Sequence, residues 1–71
     1  MKIYTVKDLG LIIRERRKEL GLSQKQLADA CGRGTRFISE VENGKTTAEA
    51  GKLLELLTIL GFDVNIERRG A

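Results

Sequence analysis

Residues 24–43 read QKQLADACGRGTRFISEVEN, and the order of small, apolar and polar positions in this stretch decides the fold. Ser23 stands just before it, and with Gln26 three residues on it makes the reciprocal pattern that opens a helix. Leu27, Ala28 and Cys31 then recur at the three-to-four spacing of one buried helix face, and Gly32 follows where the chain must turn sharply. A second periodic run begins around Thr35 and ends at Asn43-Gly44, with Ile38 and Val41 inward and Arg36, Ser39, Glu40 and Asn43 outward. The stretch therefore predicts two short helices joined by a tight turn, the second with a polar outer face.

The flanks extend this pattern. Upstream, Lys2 to Thr5 reads as extended, Thr5 caps a first helix with Asp8 three residues later, and Val6, Leu9, Ile12, Ile13 and Leu20 give that helix an apolar side. Gly21 supplies its left-handed stop. Downstream, Thr46 and Glu49 read as a capping box for a fourth helix carrying Leu53, Leu54, Leu56, Leu57, Ile59 and Leu60 over more than half its circumference. One small core cannot bury all six. After Gly61 the period changes to two: Phe62, Val64 and Ile66 alternate with Asp63, Asn65 and Glu67, as a half-buried strand requires. A strand over 62–67 needs a partner: the Lys2 to Thr5 segment, the same strand of a second subunit, or both. Leu56, Ile59, Phe62, Val64 and Ile66 are accordingly assigned to a dimer interface. The expected fold is one mainly α domain over 1–71, with four or five helices and a short C-terminal strand.

Composition narrows the function. The 71 residues hold 41% hydrophobic and 32% charged side chains, enough apolar content to fold a single small core. Thirteen Lys and Arg against ten Asp and Glu leave a formal charge of +3, which suits a polyanionic partner. With no His and one Cys, Cys31, an internal disulfide, a Cys-rich metal site and the usual proton shuttles are excluded, so neither a catalytic residue, a metal nor a cofactor is expected. Cys31 itself reads as a small buried hydrophobe. No apolar run approaches a bilayer span and no basic-then-apolar leader is present, so the reading is a cytoplasmic protein without a membrane partner.

Leu22-Ser23-Gln24, Leu27-Ala28 and the closing Val41-Glu42-Asn43-Gly44-Lys45 resemble the XRE/Cro-type, lambda-repressor-like helix-turn-helix family, over roughly Leu9 to Leu60. The resemblance implies a second motif helix lying in the major groove of double-stranded DNA while the first crosses the backbone, with dimers placing two such helices about 34 Å apart. By matching positions, Thr35, Arg36 and Glu40 would face base edges with Ser39 beside them, and Gln24 and Asn43 would hold phosphates. Arg36 suits guanine O6 and N7, and Glu40 suits cytosine N4 or the rejection of a wrong base. The family also implies a structural ion pair between Arg17 and Glu42. Arg14, Arg16 and Lys18 then read as a solvated face, and Lys45 either reaches a phosphate or is simply exposed. Two positions depart from the family: Arg33 stands where an aliphatic residue is usual and would turn outward to a phosphate, and Gly34 replaces a Ser or Thr cap. Phe37 either covers the end of the preceding helix or touches a thymine methyl.

The layout from Lys2-Ile3-Tyr4-Thr5 to the Phe62–Glu67 segment, with Arg36-Phe37-Ile38-Ser39-Glu40 leading into Glu42-Asn43-Gly44, is similar to the HipB-type antitoxins. That similarity implies a homodimeric repressor on a palindromic operator, controlling its own operon and partnered by a HipA-like kinase toxin. A free-standing or phage-type regulator without a toxin would carry the same recognition helix. A protein-interaction module of the same fold is the remaining alternative, against which the polar, Arg-bearing third helix argues.

Overall fold

Local capping sets the helix starts. In the computed structural model, which describes residues 2–45, 47 and 49–70, four helices run in order: α1 (Val6–Glu19), α2 (Gln24–Ala30), α3 (Thr35–Glu42) and α4 (Ala50–Ile59). Thr5 Oγ1 accepts from the Asp8 N–H at 3.1 Å while the Asp8 carboxylate accepts from the N–H groups of Thr5 and Tyr4 at 3.2 and 3.1 Å. Ser23 and Gln26 make the same reciprocal pair, at 3.0 and 2.8 Å, at the head of α2. Gly34 caps α3 without a side chain, and Glu49 stands at the N-cap of α4. Thr46, half of the expected fourth-helix capping box, lies outside the described residues.

The turn between α2 and α3 depends on Gly32, at φ +66°. There the Gly32 N–H donates to Asp29 O and the Arg33 N–H to Ala28 O at 3.3 and 2.9 Å, a closure that needs a left-handed residue between helix and turn. The chain reverses within four residues, Cys31 to Gly34, and α3 comes to lie across both α2 and α1.

Burial sorts the apolar residues. Ile13 of α1, Leu27 and Ala28 of α2, Ile38 and Val41 of α3, and Leu56, Leu57 and Leu60 at α4 form the core, with Leu9, Leu22, Cys31, Phe37, Leu53 and Phe62 packed partly against it. Burying each large aliphatic side chain contributes about 1.5–3 kcal/mol, so this cluster holds the helices together. Phe37 thus covers the core. Leu56 is 0% exposed, so it belongs to the monomer core and offers no atom to a second subunit, contrary to its assignment from sequence. Leu54 and Ile59 carry the outward apolar surface of α4 instead.

The expected strand is absent: among the described residues no strand forms, and 62–68 carry no regular backbone pattern. The reason is physical, since a strand exists only through a paired neighbour and this chain supplies none in register. Phe62 still packs on the core, whereas Val64 and Ile66 are 53% and 94% exposed. Tyr4, Leu54, Phe62 and Val64 border one open groove between the N-terminal segment, α4 and the C-terminal segment. No helix among the described residues is long and apolar enough to cross a membrane.

Two polar side chains expected on the surface are built into the frame. Arg16 Nε donates to the Leu60 carbonyl at 3.0 Å, reaching from α1 to the end of α4, and its Nη1 pairs with Glu19 at 3.3 Å. Arg33 pairs with Glu55 of α4 at 2.8 Å rather than pointing into open solvent.

Candidate nucleic-acid interface

α3 presents its polar face because Ile38 and Val41 are pulled into the core, which leaves 35, 36, 39, 40 and 43 on the other side of the same helix. Thr35, Arg36 and Asn43 are exposed there, and Ser39 and Glu40 are half-buried. Arg36 has 88% of its side chain in solvent. One Glu40 oxygen, Oε1, accepts from Arg36 Nε at 3.0 Å and from Lys45 Nζ at 3.4 Å. These hydrogen bonds, that from Arg36 first, hold the Glu40 carboxyl below the usual carboxylate range. Asn43 Nδ2 lies 3.5 Å from Ser39 Oγ, closing the far end of the face.

Behind this face sits a buried ionic cluster. Arg17 Nε and Nη2 donate to the two oxygens of Glu42 at 2.7 and 3.0 Å, a bidentate pair, and Nη1 donates to the Leu22 carbonyl at 2.8 Å. Gln24 Nε2 donates to Glu42 Oε1 at 3.2 Å. Glu42 raises the Arg17 pKa above its ordinary value, with burial opposing. The cluster joins the end of α1, the start of α2 and the end of α3, so it fixes the angle at which α3 is offered. No buried side-chain polar atom among the described residues lacks a partner.

The residues named from sequence therefore separate into three groups. Arg36, Glu40 and Lys45 come together on the exposed face, with Thr35, Ser39 and Asn43 on the same helix side. Gln24 stands half-buried at the start of α2, tied to Glu42. Arg33 is drawn away to α4. Sequence reasoning passed over Gly10, where α1 crosses α3. A Cβ there would meet the carbonyl oxygens of Val41 and Glu42, the second at 2.9 Å. Its only signal was a glycine in mid-helix, a residue that costs helix stability unless something requires it. No group of three or more His, Cys, Asp or Glu among the described residues is placed to hold a metal ion.

Comparison with known proteins agrees with this geometry. The family described as helix-turn-helix matches residues 13–66. An HTH-type transcriptional regulator of Sinorhizobium fredii, y4mF, is 45% identical over 92% of this chain and 86% of its own. The restriction-modification controller protein C.AhdI of Aeromonas hydrophila superposes with a TM-score of 0.72 at 31% identity, covering 82% of this chain and 84% of that one. A chain of the HipA-HipB-O2-O3 complex superposes with a TM-score of 0.86, covering 97% of both chains at 23% identity, a likeness of fold. On the family match and the 45% identity, the chain belongs to the XRE-type helix-turn-helix family.

Proposed function

We propose that this protein is a sequence-specific double-stranded DNA-binding transcriptional repressor, acting as a homodimer on a palindromic operator and controlling its own operon as the antitoxin of a HipAB-like pair. The observation that carries the DNA reading is Arg36, which projects into solvent from a helix whose orientation a buried ion pair fixes. A fork in that position suits guanine O6 and N7, while Thr35, Ser39, Asn43 and Lys45 supply neighbouring donors for bases and phosphates, and Gln24 a phosphate contact at the start of α2. The antitoxin reading is supported by the fold likeness to a HipB-containing complex over nearly the whole chain.

A second reading, a free-standing regulator with no toxin partner, is favoured by the likeness to a restriction-modification controller protein at higher identity. Both readings share the same DNA face, so the face is tested first. In a fluorescence-anisotropy titration, Arg36→Ala is expected to weaken binding to the DNA upstream of the protein's own gene by about 10- to 100-fold, as loss of a bidentate base contact implies. Binding to a scrambled duplex should change far less. Equal, weak binding of both duplexes that Arg36→Ala leaves unmoved would point instead to a protein-interaction module. A kinase encoded beside the gene, co-purifying with this chain, would separate antitoxin from free-standing regulator.

Homodimerisation through the outward residues of α4 and the C-terminal segment accounts for the apolar surface left at Leu54, Ile59, Val64 and Ile66. Pairing of residues 62–67 with the same segment of a second subunit would supply the hydrogen-bond partners that a single chain lacks. Val64→Asp is then expected to convert dimer to monomer in analytical ultracentrifugation. A variant that sediments as an unchanged dimer would rule out this interface.

A further inference from the structure

The exposed face of α3 carries one carboxylate among its cations. Glu40 sits one turn after Arg36 and is half-buried, and its Oε1 holds both Arg36 and Lys45. The way it holds them matters. Arg36 is engaged through Nε, and the Nη1–Nη2 edge of its fork has no protein partner among the described residues. That edge is one of the two that can make a bidentate contact. Bonding through Nε also restricts a long side chain that would otherwise sample many rotamers. The same carboxylate cancels charge on Arg36 and Lys45 as a phosphate would see it, and it repels phosphate itself.

We propose that Glu40 is the specificity-determining residue of this interface, positioning Arg36 for a base edge while suppressing the attraction of Arg36 and Lys45 for any DNA backbone. The inference rests on the DNA-reading function proposed above. On a wrong sequence, phosphate contacts by Arg36 and Lys45 are weakened by the adjacent Glu40 charge, with no base contact in return. On the right one, Arg36 keeps its Nε bond and uses its free edge. Glu40 thus acts on the ratio of affinities, by an unfavourable contribution on competing DNA, rather than on affinity alone.

The test is anisotropy titration of the full chain with the upstream duplex and a scrambled duplex across a salt series, comparing wild type, Glu40→Gln and Glu19→Gln. Glu19 pairs with Arg16 on α1, so Glu19→Gln makes the same charge change away from α3. Glu40→Gln is expected to tighten binding to the scrambled duplex about three- to tenfold, with a log–log salt slope steeper by about one to two. Binding to the upstream duplex should gain less or weaken, so the specificity ratio falls by about tenfold. Glu19→Gln should leave the ratio within about twofold, and in an Arg36→Ala background Glu40→Gln should no longer lower it. A Glu40→Gln ratio equal to wild type, or moved no further than by Glu19→Gln, overturns the proposal. Wild type that shows no preference between the duplexes overturns the DNA-reading function and this inference together; a wild type that discriminates, with the Glu40→Gln ratio unchanged from it, overturns the inference alone.

Discussion

Replacing Glu42 with alanine is expected to cost about 3–5 kcal/mol of folding stability, because it strands the buried Arg17 guanidinium with only the Leu22 carbonyl as partner. Glu42 is 7% exposed, so water cannot take over the carboxylate's role without opening the domain. A domain of this length has roughly 4–10 kcal/mol in total, so a large part of that margin disappears and a substantial unfolded population is expected on mild warming. Urea unfolding followed by far-UV circular dichroism reads this directly. The double replacement Arg17→Met with Glu42→Leu removes both charges from the same space and is expected to recover most of the loss, since a buried pair contributes little net stability over a well-packed apolar one. If Glu42→Ala unfolds at the wild-type urea concentration, the pair is not a structural element.

The second large effect is at Gly10. Alanine is the better helix former by about 1 kcal/mol, so on propensity alone Gly10→Ala would stabilise α1. Against this, the new methyl would run into the Val41 and Glu42 carbonyls, which belong to the last turn of α3 and cannot swing aside as a side chain can. Overpacking against backbone costs about 3 kcal/mol, so the clash wins and a net loss of about 2 kcal/mol is expected. Because relief requires α3 to move off α1, Gly10→Ala should also weaken binding to the upstream duplex, unlike a destabilising change made elsewhere in the core. A thermal melt and an anisotropy titration on the same preparation check both parts, and a variant as stable as wild type would refute the tight crossing.

What could be read from the sequence was mostly local. Thr5 with Asp8, Ser23 with Gln26, and Gly21 and Gly32 mark helix boundaries because each acts on backbone groups within a few residues. Ile13, Leu27, Ile38 and Val41 could be placed inward because their helices carry a single apolar face. α4 could not be resolved this way: its leucines spread around the helix, so nothing in the spacing distinguishes buried Leu56 from exposed Ile59. The alternation of Phe62, Val64 and Ile66 describes which side chains would share a face, but a strand also needs a neighbour, and periodicity is silent on whether one exists. The reach of Arg16 to Leu60 and of Arg33 to Glu55 depends on how distant segments pack, which no local pattern encodes. At the candidate site, the polar face of α3 was legible, whereas the sharing of one Glu40 oxygen by Arg36 and Lys45 emerged only from side-chain geometry.

The cluster of Arg17, Glu42 and Gln24 also bears on how fast this protein can find a target. It clamps three helices before any ligand arrives, so under the proposed function the docking of α3 would require no prior folding or hinge step and would lose little backbone entropy. Encounter can then proceed near the rate set by diffusion and charge, for right and wrong sequences alike. On that proposal discrimination falls to residence time: complexes with the correct bases would persist and the others dissociate.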